Sequence, residues 1–189
     1  MSAPLRQCSS EGSFTFLFYL CSLLFLTACH QGPPADGLTE GRLFPALTLS
    51  DFKGQTTVST DSYRGRLVVL NVWATWCPPC RKELPSLERL HQSLDAGRFA
   101  VVGMSIDNDA DIAQEYLLEH AITFPSYFDA GGGTARGVLG IRAYPDTFII
   151  SPTGVLLRKI TGEREWDDPR VVATLEAAFA GDASALRGM

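Results

Sequence analysis

A Cys-Pro-Pro-Cys sequence at residues 77–80 contains the side chains of this 189-residue chain that are best suited to chemistry. The residues just before it are mostly apolar, as in a strand buried on both faces, and those just after it follow a helical pattern. Cys77 can therefore cap the helix, and Pro78 fills the first helical position, where its missing N–H costs nothing. The free N–H groups of the first turn favour a negative charge, which makes Cys77 a nucleophilic thiolate. We predict an exposed, attacking Cys77 and a shielded Cys80 that closes a disulfide onto it.

Two other uses of the cysteine pair fit the chain less well. A purely structural disulfide would close so small a loop that it would restrict the unfolded chain little. A zinc site would need two more ligands, and His30, His91 and His120 do not form a close pair in the sequence. We therefore expect a redox-active dithiol, no bound metal, and no cofactor other than the Cys77-Cys80 disulfide.

With its surroundings, this motif resembles that of the thioredoxin superfamily. Trp76, the Pro78-Pro79 pair and Glu83 make the resemblance strongest to the TlpA/ResA group of membrane-anchored thiol-disulfide oxidoreductases, over about residues 43 to 180. The resemblance implies an α/β thioredoxin-like fold, in which helices flank a central mixed sheet and a β-hairpin is added at the N-terminus. It also implies an enzyme that transfers two electrons by dithiol exchange.

A second part of the expected site comes from Tyr144-Pro145, just before the third core strand. By this position, Pro145 matches the cis-proline that faces the dithiol in proteins of the thioredoxin superfamily. A cis bond would turn the backbone of Tyr144 outward, where it can pair with an extended substrate. We expect these two residues, with Trp76 and Pro78, to bind the substrate. The alternative is an ordinary trans proline at the start of a strand.

Glu83 is the third part of the expected site. Thioredoxin has a buried Asp six residues before its first active cysteine, and this chain has Asn71 there, which cannot accept a proton. Glu83 follows Cys80 by three residues and resembles the acidic residue that the TlpA/ResA group places beneath its cysteines. We predict a buried Glu83 with a raised pKa that takes or tunes the proton of Cys80. The alternative is a solvated carboxylate favoured by the helix dipole.

The two prolines also bear on the direction of electron flow. Neither Pro78 nor Pro79 has an N–H that could stabilise a Cys77 thiolate, and a less stabilised thiolate favours a reductant. We therefore expect reduction of partner disulfides. A disulfide-forming oxidase stays open if the prolines only stiffen the loop, and so does a copper-handling metallochaperone, which would add a His or Met ligand. A peroxidase of the peroxiredoxin type is disfavoured, because it needs Thr-x-x-Cys and Thr75 lies only two residues before Cys77.

The N-terminus carries an apolar run at residues 14–28 that is too short for a confident membrane span. The sequence Leu26-Thr27-Ala28-Cys29 resembles the bacterial lipobox, which implies cleavage before Cys29 and diacylglycerol on its sulfur. We predict a lipoprotein signal peptide at 1–28 and a flexible tether at 29–42, whose Gly, Pro and small polar residues cannot form a core. An uncleaved signal anchor is the alternative.

These features predict a location and a set of partners. The protein would be lipid-anchored through Cys29 on the extracytoplasmic side of a bacterial envelope, in the periplasm if the cell is Gram-negative. Its partners would be disulfide-bearing envelope proteins and a membrane electron donor, and the resemblance suggests cytochrome c maturation as one destination. The net charge of −5, with no run of basic residues, argues against nucleic-acid binding.

The remaining chain predicts one domain at 43–182 and a C-terminal tail at 183–189. The predicted elements are a hairpin at 44–49 and 56–59, a helix after the cysteines that ends at Gly97, a strand at 99–106, a helix at 109–119, a short helix at 134–139, a strand up to 150 paired with one at 155–160, and a helix at 169–179. The predicted inward side chains of the three long helices are Leu84, Leu87, Leu90 and Leu94, then Ile112, Ala113, Tyr116 and Leu117, then Val172, Leu175, Ala178 and Phe179.

Overall fold

A seven-stranded mixed sheet organises residues 38–189, the part of the chain that the computed structural model describes. The strands are β1 Thr48–Ser50, β2 Thr57–Ser59, β3 Leu67–Trp73, β4 Phe99–Ser105, β5 Ser126–Phe128, β6 Asp146–Ile150 and β7 Leu156–Thr161, in the order β2-β1-β5-β4-β3-β6-β7. The helices are α1 Pro78–Ser93, α2 Ala110–Glu119, α3 Gly133–Gly137 and α4 Pro169–Phe179. Strands β3, β4 and β5 are parallel, and the other neighbours are antiparallel. The predicted thioredoxin-like fold with an N-terminal hairpin is therefore confirmed.

The central strands β3 and β4 are buried at every residue, as their apolar sequences predict. The β3–α1–β4 and β4–α2–β5 crossovers connect parallel neighbours, so α1 begins at the carboxyl end of β3. This order places the two cysteines at the end of the sheet that is formed by the carboxyl termini of β3 and β4. The cysteine pair therefore lies at the end of the two fully buried central strands.

Both ends of the described chain pack more closely than the sequence predicts. Residues 38–42 were expected in the tether, but Leu38 packs against the core and the Gly41 N–H donates to the carbonyl of Leu156 at 2.8 Å. Residues 183–188, expected in a tail, form a 3₁₀ helix in which Leu186 is buried. The folded part therefore extends beyond residues 43–182 at both ends.

Helix α1 ends four residues earlier than its predicted end at Gly97. Leu94 caps it with an extended backbone, and the Gly97 N–H donates instead to the side chain of Asp95 at 2.9 Å. The residues after α1 form a turn, closed by bonds from Arg98 and Phe99 to the Asp95 carbonyl, that starts β4. Leu94 itself is only partly buried.

The inward faces of α2 and α4 also differ from the prediction. Ile112 is 53% exposed, because α2 buries Ala113 and Leu117, four residues apart, and packs the predicted Tyr116 only partly buried against the core. In α4 the buried side chains are Val171, Leu175 and Ala178, so the predicted Val172 and Phe179 lie at the border and are partly buried. Among residues 38–189, no helix is both long and apolar enough to cross a membrane.

Candidate active site

The two cysteines are joined in a disulfide at the start of α1. Their sulfur atoms are 2.07 Å apart and their Cα atoms 5.3 Å apart. Cys77 is the N-cap, and its sulfur accepts the N–H of Cys80 at 3.3 Å, as the helix-capping argument predicts. The prediction of an exposed Cys77 is wrong for this oxidised form: Cys77 is only 4% exposed, because its sulfur is bonded to that of the fully buried Cys80.

The loop that leads into the cysteines is held by Asp107, which sequence reasoning missed. Its carboxylate, buried at the end of β4, accepts the backbone N–H of Thr75 at 3.1 Å and the Thr75 hydroxyl at 2.7 Å. A third bond, from the hydroxyl of Ser105 at 2.8 Å, fixes the carboxylate itself. Because parallel β3 and β4 end at the same edge, an acid just after the second strand was the available signal. Asp107 thus positions the backbone two residues before Cys77.

Trp76, which directly precedes Cys77, contacts Tyr144, and both residues were expected to bind substrate. Trp76 is 57% exposed, and its ring meets that of Tyr144 edge to face, with centroids 5.9 Å apart. The Tyr144-Pro145 bond is cis, as the resemblance implies. Pro78 is exposed and Pro145 is buried. The tertiary fold therefore brings Tyr144 to the loop that contains Cys77.

Glu83 lies in the second turn of α1 and is 1% exposed, which agrees with the expected burial. Three donors from different parts of the chain surround the carboxylate. Asn71 of β3 donates from Nδ2 to Oε1 at 2.6 Å, whereas Trp166 Nε1 and the Arg164 N–H donate to Oε2 at 3.0 and 3.2 Å. The Asn71 amide also donates to the hydroxyl of Thr147 at 2.9 Å.

Burial raises the pKa of Glu83 to about 7, although the hydrogen bonds from Trp166, Asn71 and Arg164 act in the opposite direction and the charge of Glu163 adds to the rise. The direction agrees with the sequence-based prediction. Near neutral pH this carboxyl group is available in both its charged and its neutral form. It can therefore accept a proton in one step and return it in another.

Trp166 is the member of this group that sequence reasoning missed. It is fully buried, although it lies in a segment between β7 and α4 that is otherwise rich in Gly, Glu, Arg and Asp. A single large aromatic residue in such a segment has to pack against the body of the protein, and this was the available signal. The sequence could not show that it packs against Glu83.

Within residues 38–189, the structure brings together no group of three or more His, Cys, Asp or Glu side chains that could hold a metal ion. Cys29, the predicted lipidation site, lies outside the described residues.

Comparison with known proteins places the chain in a family. Residues 41–159 match the model of the AhpC/TSA family. The chain is 32% identical over 123 residues to a thioredoxin-like protein, YneN, of Bacillus subtilis, covering 64% of this chain and 70% of that protein. It is 28% identical over 130 residues to the thiol-disulfide oxidoreductase ResA of the same organism, covering 67% of this chain and 70% of ResA.

A solved structure also matches this chain. A crystal structure from Chlorobium tepidum, named as a thiol:disulfide interchange protein DsbE, matches with a TM-score of 0.67 and 27% identity, covering 77% of this chain and all of that one. The Chlorobium tepidum structure shares the fold, and both it and ResA are named for the reaction that a cysteine pair can perform. The chain therefore belongs to the AhpC/TSA family, among its thioredoxin-like members, and is a thiol-disulfide oxidoreductase of the ResA/DsbE type.

Proposed function

We propose that this oxidoreductase works as a reductant of partner disulfides. The observation that carries the proposal is that few N–H donors reach the Cys77 sulfur. In this structure the sulfur is half of a disulfide, and it marks the position of the thiolate in the reduced protein. Pro78 and Pro79 open α1 and have no N–H, so the Cys80 N–H at 3.3 Å is the first helical donor that the sulfur can use. A thiolate with little stabilisation makes the reduced form the better electron donor.

The reaction proceeds in two displacements. The Cys77 thiolate attacks one sulfur of the partner disulfide, the partner S–S bond breaks, and its other sulfur leaves as a thiolate with the electron pair. Cys80 then gives its proton to the Glu83 carboxylate and attacks the Cys77 sulfur, which releases the second partner thiolate. Two electrons have passed to the partner, and the protein is left with the Cys77-Cys80 disulfide. Glu83 finally returns its proton to the released thiolate or to water.

The substrate surface fits a partner in extended conformation. Tyr144 precedes the cis bond at the start of β6, and its ring and that of Trp76 form an aromatic wall next to Cys77. A partner segment can lie along this wall and pair with the Tyr144 backbone in strand fashion. Such backbone pairing suits a protein that must accept disulfides in different sequences.

Replacing each cysteine by serine tests this function. Cys77→Ser should abolish reduction of a disulfide-bearing partner, and Cys80→Ser should accumulate mixed disulfides through Cys77, because only the second displacement is lost. The adducts are counted on non-reducing gels, and the reduction potential of the dithiol is measured against glutathione. Adducts recovered from Cys77→Ser, or a potential well above that of the glutathione pool, would contradict the proposal, and the second result would favour the oxidase.

The cellular setting is a further part of the proposal. The lipobox-like Leu26-Thr27-Ala28-Cys29 supports an envelope lipoprotein on the extracytoplasmic side, re-reduced by a membrane electron donor, with cytochrome c apoproteins as one class of partner. Cys29→Ala should then block processing and lipidation, as read by the mass of the purified protein. Native protein that salt alone releases, and that carries no acyl chain, would show that the anchor is wrong.

A further inference from the structure

The segment after β7 is fastened to one face of α1. The backbone N–H of Trp166 donates to the hydroxyl of Ser86 at 3.0 Å, and that hydroxyl donates to the carbonyl of Glu83 at 2.8 Å. One turn further along α1, Arg89 binds Asp167 at 2.5 Å. The Trp166 N–H and the next residue, Asp167, are therefore both bound to α1, which restricts the position of the Trp166 side chain.

The indole ring uses this fixed position to reach a carboxylate. Trp166 is fully buried, and its Nε1 lies 3.0 Å from Oε2 of Glu83. An indole N–H can only donate, and the two other polar contacts of this carboxylate, from Asn71 and from the Arg164 backbone, are donors as well. Each of these donors favours the charged carboxylate over the neutral acid and so opposes burial, which raises the pKa of Glu83.

We propose that Trp166 is a positioning residue of the exchange reaction: its indole N–H favours the charged form of Glu83, against the effect of burial, and so sets the pH range in which Glu83 takes the proton of Cys80. The inference rests on the proton-accepting role proposed above for Glu83. It assigns that control to a residue 83 positions away in the sequence, which touches neither cysteine in the proposed mechanism.

Charged groups also face Glu83, and they act differently. Lys82, Glu163, Arg164 and Glu165 line a cleft of about 160 Å³ that reaches Glu83. Lys82 is paired with Glu163, and both side chains are more than one third exposed. Salt screens such exposed charges, whereas a hydrogen bond between two buried groups is hardly affected. Added salt should therefore leave the contribution of Trp166 in place.

The test compares two buried tryptophans in the full chain. Trp166→Phe removes the indole N–H and keeps an aromatic ring. Trp73→Phe is the matched control, because Trp73 is equally buried and its Nε1 has no hydrogen-bond partner within residues 38–189. Partner reduction is followed across pH at low and at high salt. We expect the midpoint of the profile to move up by about one to two pH units in Trp166→Phe, the size of one hydrogen bond to a charged group, and to stay in place in the control.

A measurement on the parent protein covers the case in which Trp166→Phe does not fold. In ¹⁵N-labelled protein, the indole N–H resonance of Trp166 should follow the titration of Glu83 near pH 7, and the resonance of Trp73 should not. Glu83→Gln should abolish this pH dependence.

The outcomes separate the inference from the function on which it rests. An indole resonance that ignores pH, or an unchanged profile in Trp166→Phe, overturns the role of Trp166 even if the parent reduces its partner normally. If Glu83→Gln reduces the partner as fast as the parent, the proton-accepting role of Glu83 fails and the inference fails with it. If Cys77→Ser keeps full activity, the dithiol mechanism itself fails.

Discussion

Helix α1 carries two buried carboxylates that behave in opposite ways. Glu83 is 1% exposed and Glu88 is 6% exposed, and the helix connects them within two turns. Glu88 accepts the backbone N–H groups of Thr123 and Phe124 at 2.7 and 3.2 Å, the Thr123 hydroxyl, and Nε2 of Gln92 at 2.8 Å. Glu83 has three donors where Glu88 has four.

The balance between burial and hydrogen bonding differs accordingly. Burial is the largest influence on both groups and acts to raise each pKa. At Glu88 the four hydrogen bonds outweigh it, and the pKa is lowered, so the group stays charged and ties α1 to the segment just before β5. At Glu83 burial prevails and raises the pKa to about 7. The comparison teaches that low surface exposure alone does not make a carboxyl group a proton acceptor at neutral pH; the balance between the depth of burial and the donors that reach the group does.

The largest expected difference between the two carboxylates is in how the free energy of unfolding changes with pH. Glu83 holds its proton more tightly in the folded than in the unfolded protein, so the free energy of unfolding should fall as the pH rises from its ordinary value of 4.5 to about 7. A shift of this size corresponds to about 3 kcal/mol. Glu88, with a lowered pKa, should instead lose stability as the pH falls below 4.5.

Denaturant titrations across pH, with the disulfide intact, check these slopes. Glu83→Gln should flatten the curve between pH 4.5 and 7, and Glu88→Gln should flatten only the acid side. A curve for Glu83→Gln that runs parallel to the parent in the neutral window would mean that Glu83 does not titrate there.

The second difference is in the rate of partner reduction. Glu83→Gln should slow it by about 10²-fold at pH 7, the usual lower range for the loss of a general acid or base. It should also lower the apparent pKa of the Cys77 thiol, since an ionised carboxylate nearby opposes thiolate formation. Glu88→Gln is the matched control and should leave both unchanged. Thiol alkylation and partner reduction measure the two quantities, and overlapping curves for Glu83→Gln and the parent would refute the proposed role.

The smallest expected effect concerns a single donor. Thr123→Val removes the hydroxyl bond to Glu88 and should lower the free energy of unfolding by about 1 kcal/mol, with a rise in the pKa of Glu88. In Thr147→Val the donors of Glu83 all remain, because the Thr147 hydroxyl accepts from Asn71 and does not bind the carboxylate. This second variant should keep the neutral-pH slope of the parent. Loss of that slope would show that Thr147 holds the Asn71 amide in place.

The start of α1 shows how much of the site was predictable. The N-cap at Cys77 and the first helical residue Pro78 follow from contacts within one turn, so the sequence predicts them without knowledge of the fold. The buried stripe of Leu84, Leu87 and Leu90 follows from helical spacing for the same reason. The predicted end at Gly97 was wrong because the last turn competes with a turn that starts β4.

The sequence by itself determined the dithiol, its place between a buried strand and a helix, and the face of α1 on which Cys80 and Glu83 lie. Each of these depends on residues that are neighbours in the chain. Only the tertiary structure decided what faces Glu83, since Asn71 lies 12 residues before it and Trp166 lies 83 residues after it. The pKa of a buried acid depends on burial and on the donors that reach it, and the fold brings both from distant parts of the chain. For that reason two buried glutamates on one helix have pKa values shifted in opposite directions in the folded protein.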